Sequence, residues 1–167
     1  MLDKIRKIII EQNTNLNAIW LMRQAGRYLP EFREIRLQNQ NFIDLCLNSA
    51  LSSEITLQPI KRFNLDSAII FSDILMVPYA LNQKVEFLEN KGPILEKFNL
   101  EKFLNNDKVS FTQKLHPVYK AIEKTREKLD KEKSLIGFIG APWTLLIYML
   151  GIKVSKEKFD YKKVTAK

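Results

Sequence analysis

Three places in the sequence set a chemically capable side chain directly after an apolar run that could hold it still. In "IWLMRQAGRYLPEFREIR" (residues 19–36) four apolar residues lead into Arg23, Gln24, Ala25, Gly26 and Arg27. An arginine presents a planar fork of donors that matches a carboxylate bidentately and stays charged at physiological pH. Arg23 and Arg27 on either side of a glycine, which lets the backbone turn where a side chain would obstruct it, form a candidate carboxylate clamp. Either arginine could instead make an internal salt bridge, with Glu31 or Glu34 as partner. Asp73 follows four apolar residues and Ser72. A carboxylate there can stabilise a cation that develops during a reaction, and it can equally cap the next turn. Tyr148, five residues beyond Trp143, has a hydroxyl that could orient Asp73 or a ligand, although "LLIYML" also suits a core tyrosine.

Other chemistries lack their residues. His116 is the only histidine; it precedes a proline at the expected start of a polar-faced helix, exposed and away from the other candidates, so no Ser-His-Asp arrangement can be drawn around it. The single cysteine, Cys46, excludes an internal disulfide and offers no cysteine pair to a metal. It reads as a small buried apolar residue.

The elements that must position these groups follow from apolar periodicity. Residues 18–22, "AIWLM", bounded by polar "NTNLN" and the arginine stretch, are expected to form a buried strand. "PEFREIRLQ" suits a helix start with an early proline and Glu31 near the positive end of the dipole. A helix over "SALSSEITLQPIKRF" is expected next, with Ser52 or Ser53 as candidate cap and Pro59 as a possible kink. Residues 68–71 form a second strand, and "QKVEFLENKGPIL" a short hairpin-like excursion turning at 91–93 that decorates the following loop. A long helix covers about "LHPVYKAIEKTREKLDKE", with an apolar stripe through Leu115, Val118, Ile122 and Leu129. "SLIGFIGAPW" supplies a third strand ended by Pro142, and "TLLIYML" the helix after it, with Thr144 near its cap. Apolar strands alternating with amphipathic helices predict an α/β chain with a parallel sheet covered by helices. In such sheets the reactive groups lie at the carboxyl ends of the strands. Arg23, Asp73 and the "GAPW" turn all occupy that rim.

Composition narrows the partners. With 167 residues, 46% of them hydrophobic, the chain can build one domain with a substantial core. No apolar run is long enough for a transmembrane helix, and Glu11 and Gln12 interrupt the start too soon for a secretory signal, so a cytoplasmic protein without a membrane partner is expected. The net charge of +8 would fit a polyanion partner. Half of it, a net +4, lies in the last 17 residues, where six lysines face Glu157 and Asp160. That reads as a solvated tail. No zinc finger, RNA-binding signature or glycine-rich phosphate loop accompanies it, and no nucleic-acid partner is expected.

Three blocks, "WLMRQAGRYLPEFREIR" (20–36), "ITLQPIKRFNLDSAIIFSDIL" (55–75) and "LIGFIGAPWTLLIYM" (135–149), together resemble the amino-terminal half of the uroporphyrinogen decarboxylase family. The resemblance implies a (β/α)8 TIM-barrel enzyme of porphyrin and haem synthesis, working without metal or organic cofactor and commonly as a homodimer. Such enzymes convert the four acetate side chains of uroporphyrinogen III to methyls, giving coproporphyrinogen III. The family's substrate-binding loop falls on Arg23, Gln24, Ala25, Gly26 and Arg27, its central aspartate on Asp73 and its substrate-contacting tyrosine on Tyr148. On this basis residues 1–150 are expected to hold about the first three βα units, a partial barrel, and residues 151–167 to be a divergent lysine-rich tail. The later strands, and a serine and a histidine that contact substrate in the family, have no counterpart. Two other outcomes stay open: an inactive remnant that at most binds tetrapyrrole carboxylates, and a corrinoid- or zinc-dependent methyl-transferring relative, for which Cys46 and His116 are poorly placed ligands.

Overall fold

The computed structural model describes residues 3–88 and 92–152. In chain order the elements are α1 (Lys4–Ile10), α2 (Pro30–Gln38), α3 (Phe42–Leu47), α4 (Ser49–Phe63), β1 (Ser67–Ile69) and α5 (Met76–Ala80). Then come β2 (Val85–Leu88), β3 (Gly92–Leu95), α6 (Leu100–Leu104), α7 (Lys108–Lys128), β4 (Ser134–Ile136) and α8 (Pro142–Met149). β1 and β4 pair in parallel, with Ser67 opposite Ser134 and Ile69 opposite Ile136. Parallel neighbours need a long crossover, and α7 lies within it. α4 packs on both α7 and β1, burying Leu57, Ile60, Leu65, Ala68 and Leu129 together. On its other side α4 meets α2 and α3 through Leu29, Phe32, Leu45 and Ile55. A third cluster joins Ile43, Cys46, Leu75, Met76, Val85 and Leu115. Each such aliphatic side chain contributes about 1.5–3 kcal/mol when fully buried.

Local chemistry explains most boundaries. α2 opens with Pro30 in its first turn and Glu31 beside it. α4 spans the expected residues, but its cap is Asn48, whose Oδ1 accepts from the N–H groups of Ala50 and Leu51, both at 3.1 Å. Ser52 and Ser53 are interior instead, and the Ser52 hydroxyl donates to the carbonyl of Leu45 at 3.1 Å. The helix runs on through the buried Pro59 and stops at Asn64, which takes the left-handed conformation with φ 51°. α7 begins at Lys108, capped by Asp107. His116 and Pro117 therefore lie within the helix, not at its start, and His116 is exposed as expected. α8 starts with Ala141 as cap residue and Pro142 in its first turn, so the exposed Thr144 is not the cap.

The expected first strand is the main departure. Residues 18–22 form no ladder; their link to the sheet is Ile19, whose carbonyl accepts from Asp66 N–H at 2.9 Å and whose own N–H donates to Asp66 Oδ2 at 2.7 Å. The run is apolar, yet Ile19 is 64% and Met22 78% exposed. Ordering a strand costs backbone entropy that only a ladder and burial on its faces can offset, and here nothing covers those faces. The excursion is an antiparallel hairpin of β2 and β3, with residues 89–91 outside the described residues. It is more than a decoration: Val85 joins the third cluster, and the Phe87 ring meets Phe42 edge-on at 4.7 Å. The short helices α1, α3, α5 and α6 were not expected, and the tail beyond Ile152 lies outside the described residues. Among the described residues no helix is long and apolar enough to cross a membrane.

Candidate functional site

Asp73 stands where the chain leaves β1. Two residues earlier that chain is held by Thr56 of α4, a fully buried side chain. Its hydroxyl donates to the carbonyl of Ser52 at 2.7 Å and accepts from the N–H of Phe71 at 2.8 Å. Asp73 Oδ1 accepts from Leu75 N–H at 2.8 Å and so shapes the turn into α5. Its second oxygen has no partner among the described residues. Turn-capping thus engages one oxygen only and leaves the other for a ligand's donor. Burial pushes the carboxyl above the usual carboxylate range, and the Leu75 amide offsets part of that rise. The turn before α8 approaches the same place: a Cβ on Gly140 would lie 3.1 Å from Ile74 Cβ. Two of the three expected strand ends therefore meet beside Asp73.

The third rim element, the 23–27 loop, divides its side chains. Arg23 and Arg27 are exposed, and neither guanidinium has an ion-pair or hydrogen-bond partner among the described residues. The salt-bridge alternative with Glu31 is excluded because Glu31 is held by Arg62 in a bidentate pair at 3.0 and 2.9 Å. Gln24 turns the other way. It is 2% exposed, its Nε2 donates to the carbonyl of Ser67 at 2.7 Å and its Oε1 accepts from Ile69 N–H at 3.0 Å. Its carboxamide is thereby committed to β1. Ala25 packs against the cluster of Leu29 and Phe32. Gly26 has no positive φ, and an added Cβ would meet only the Tyr28 ring at 3.6 Å. The fold itself does not require a glycine there.

Tyr148 is 42% exposed on α8, so it is not the core tyrosine that its apolar neighbours suggested. α8 packs on α5 through its other face, where Leu145 and Met149 are buried. Gln83 secures the end of that helix, donating from Nε2 to the carbonyls of Glu96 and Met149, both at 2.8 Å. Sequence reasoning missed Thr56 and Gln83 as positioning groups. The legible signal for Thr56 was its place between the aliphatic Ile55 and Leu57 of α4. Cys46 is buried, and burial together with the negative Asp73 pushes its thiol up to about 12. It is therefore a poor source of the thiolate that metal binding needs. Among the described residues no three His, Cys, Asp or Glu side chains gather where a metal ion could sit.

The described residues thus set a carboxylate engaged through one oxygen just past one strand of a parallel α/β layer, with two exposed guanidinium groups on a neighbouring loop. The chain belongs to the uroporphyrinogen decarboxylase family, whose model, described as "Uroporphyrinogen decarboxylase (URO-D)", matches residues 2–167. The match thus runs on through the lysine-rich segment. The uroporphyrinogen decarboxylase of Rickettsia felis is 47% identical over 153 residues, 92% of this chain and 43% of that protein. That of Brucella ovis is 45% identical over 147 residues, 88% of this chain and 43% of its own length. The chain therefore spans less than half the length of the curated relatives it matches. Among solved structures, a methyltransferase from Methanosarcina mazei superimposes with a TM-score of 0.64 at 14% identity, covering 89% of this chain and 45% of that one. That likeness concerns the fold alone.

Proposed function

We propose that this chain forms the amino-terminal part of a barrel that decarboxylates the four acetate side chains of uroporphyrinogen III, giving coproporphyrinogen III. The observation that carries the proposal is the pair of unpartnered arginines, Arg23 and Arg27, on a loop fastened to the strand that runs into Asp73. A substrate with eight carboxylates supplies the partners that the fold withholds. Losing CO2 from a pyrrole acetate needs an electron sink. Protonation of the adjacent ring carbon provides it and places positive charge on the pyrrole nitrogen. The bond to the carboxylate then breaks, its electron pair forms an exocyclic double bond and CO2 leaves. The methylene takes a proton and the ring carbon returns one, so each acetate consumes one proton overall. Asp73, through the oxygen not engaged by Leu75, accepts from the pyrrole N–H groups and stabilises the cation. Arg23 and Arg27 hold acetate and propionate groups, the backbone of residues 24–26 lines their approach, and Tyr148 contributes a hydroxyl at the edge.

The same proposal places residues 1–150 as about three βα units of a (β/α)8 barrel in a cytoplasmic enzyme, assembled as a homodimer as in the family. The 18–22 run becomes a strand once further units cover Ile19 and Met22. Those uncovered apolar residues also favour a second reading, in which the chain binds tetrapyrrole carboxylates without turnover. An anaerobic assay with uroporphyrinogen III, following partly decarboxylated products by chromatography, separates the two. It is run on the chain alone and with a separately expressed carboxyl-terminal half of the Rickettsia felis relative. Turnover in either arm that Asp73→Asn abolishes supports the decarboxylase. Binding without turnover in both arms favours the second reading, and neither binding nor turnover sinks both.

A further inference from the structure

In a parallel sheet successive residues of a strand direct their backbone groups to alternate sides. On β1 the carbonyl of Asp66 accepts from Ser134 N–H at 3.1 Å and Ile70 N–H donates to Ile136 O at 3.0 Å, so these groups serve β4. Ser67 O and Ile69 N–H are left on the opposite edge, and one side chain takes both: Gln24, at 2.7 and 3.0 Å. A carboxamide carries a donor and an acceptor side by side, as a peptide group does. Gln24 therefore occupies the place of one residue of a neighbouring strand. Its backbone is held too, because the Tyr28 hydroxyl donates to the Gln24 carbonyl while the Tyr28 ring stacks on Phe63 at the end of α4. The chain bends at Arg23 and again at Ala25, and the side chains divide accordingly: Arg23 is exposed where Gln24 is buried.

We propose that Gln24 is the positioning residue of the arginine clamp: by standing in for a strand on the free edge of β1, it fixes where Arg23 and Arg27 sit relative to the carboxylate of Asp73, four residues past that strand. The inference rests on the clamp described under Proposed function, yet the docking can be read without a ligand. A residue that merely capped the edge would affect exchange at β1 and nothing at the rim. A positioning residue affects both.

The test uses the 167-residue chain and its Gln24→Leu and Gln24→Glu variants. Leucine removes donor and acceptor; glutamate keeps the acceptor for Ile69 N–H but sets a carboxylate against the Ser67 carbonyl. Hydrogen exchange is followed at Ile69 and across residues 23–28, and uroporphyrin, the oxidised octacarboxylate, is titrated by fluorescence. Losing these two hydrogen bonds should speed Ile69 exchange by about tenfold or more in Gln24→Leu, speed exchange across 23–28, and weaken uroporphyrin affinity by about tenfold. Gln24→Glu should fall between wild type and Gln24→Leu. Faster Ile69 exchange with unchanged affinity would reduce Gln24 to an edge cap and overturn the proposal. If Gln24→Leu does not fold, Gln24→Glu decides on the same two readouts, and an Ile69 amide that exchanges freely in wild type overturns it outright. If wild type binds no uroporphyrin, the clamp reading fails, and exchange across 23–28 alone decides whether Gln24 docks the loop.

Discussion

Gly140 and Gly26 should answer the same substitution in opposite ways. A Cβ at Gly140 would lie 2.7 Å from Leu145 Cδ2, 3.0 Å from Leu145 Cγ and 3.1 Å from Ile74 Cβ. Carbon atoms in contact settle at about 3.5–4.0 Å. The Leu145 tip can swing at the cost of its rotamer. Ile74 Cβ cannot, since it is bonded directly to the backbone beside Asp73. Either that segment or the Gly140 turn must retreat by several tenths of an ångström. Overpacking of this kind costs about 1–3 kcal/mol. At about 2–4 °C per kcal/mol for a chain of this size, the Tm of Gly140→Ala should fall by about 2–12 °C. At Gly26 the methyl would meet only the Tyr28 ring, at 3.6 and 3.7 Å, and φ is not positive. Restricting the unfolded chain there favours alanine by about 0.4–1 kcal/mol, so Gly26→Ala should be as stable as wild type or slightly more so. It should nevertheless bind uroporphyrin more weakly, because the new methyl lies between Arg23 and Arg27. Thermal and urea unfolding of both variants, with uroporphyrin titration of Gly26→Ala, tests the pair. A Gly140→Ala as stable as wild type would mean that the α8 turn does not press on Ile74. A Gly26→Ala that loses stability and keeps its affinity would show that this glycine serves the fold, removing the spatial argument for the clamp.

Thr56→Val should leave the Phe71 N–H without its acceptor and cost about 1–3 kcal/mol, with faster exchange of the Phe71 amide; Thr56→Ser, which keeps the hydroxyl, should recover most of that loss. Equal stability of Thr56→Val and wild type in urea would contradict the anchoring of the 71–73 segment. Asp73 has a folded pKa raised above its ordinary value of 3.8, so the folded chain holds that proton more tightly than the unfolded one. This contribution makes stability fall as pH rises from the ordinary value through the raised one, and the penalty is fully present above it. Asp73→Asn keeps an acceptor for Leu75 N–H and removes the charge; it should be at least as stable as wild type at neutral pH and show less loss of stability between acid and neutral pH. Urea midpoints across that range check this, and a less stable Asp73→Asn at neutral pH would refute the burial argument. Asn48 both follows α3 and caps α4, so Asn48→Ala should cost about 1 kcal/mol and Asn48→Asp much less. Indistinguishable unfolding curves for the two variants would show that the cap is dispensable.

The helices α2 and α4, the β2–β3 hairpin and the strands β1 and β4 were legible because their signals are local: an early proline, an apolar stripe, a β-branched run bounded by polar residues. The helices α1, α3, α5 and α6 were not, since at five to seven residues each spans two turns or fewer and leaves no periodicity to read. The 18–22 run failed for another reason. Its residues suit a strand, but a strand exists only with neighbours, and here its tie to the sheet is Ile19's pair of hydrogen bonds with Asp66, just ahead of β1.

Gln24 shows how far a motif can be read. Its place between Arg23 and Arg27 suggests a third ligand contact, and nothing within the 23–27 stretch says otherwise. Its orientation is decided by the unpaired Ser67 carbonyl and Ile69 N–H, 43 and 45 residues away. Burying those two backbone groups without partners would cost about 1–3 kcal/mol each, more than the net worth of a hydrogen bond, so the one neutral residue of the three turns inward. The two charged residues, costly to bury without partners, remain outside. Hydrogen-bonding demand from β1 and the desolvation cost of a guanidinium thus sort the three polar side chains of this loop into one that faces β1 and two that face solvent. A compact motif can therefore identify a site long before it reveals which of its residues face the ligand.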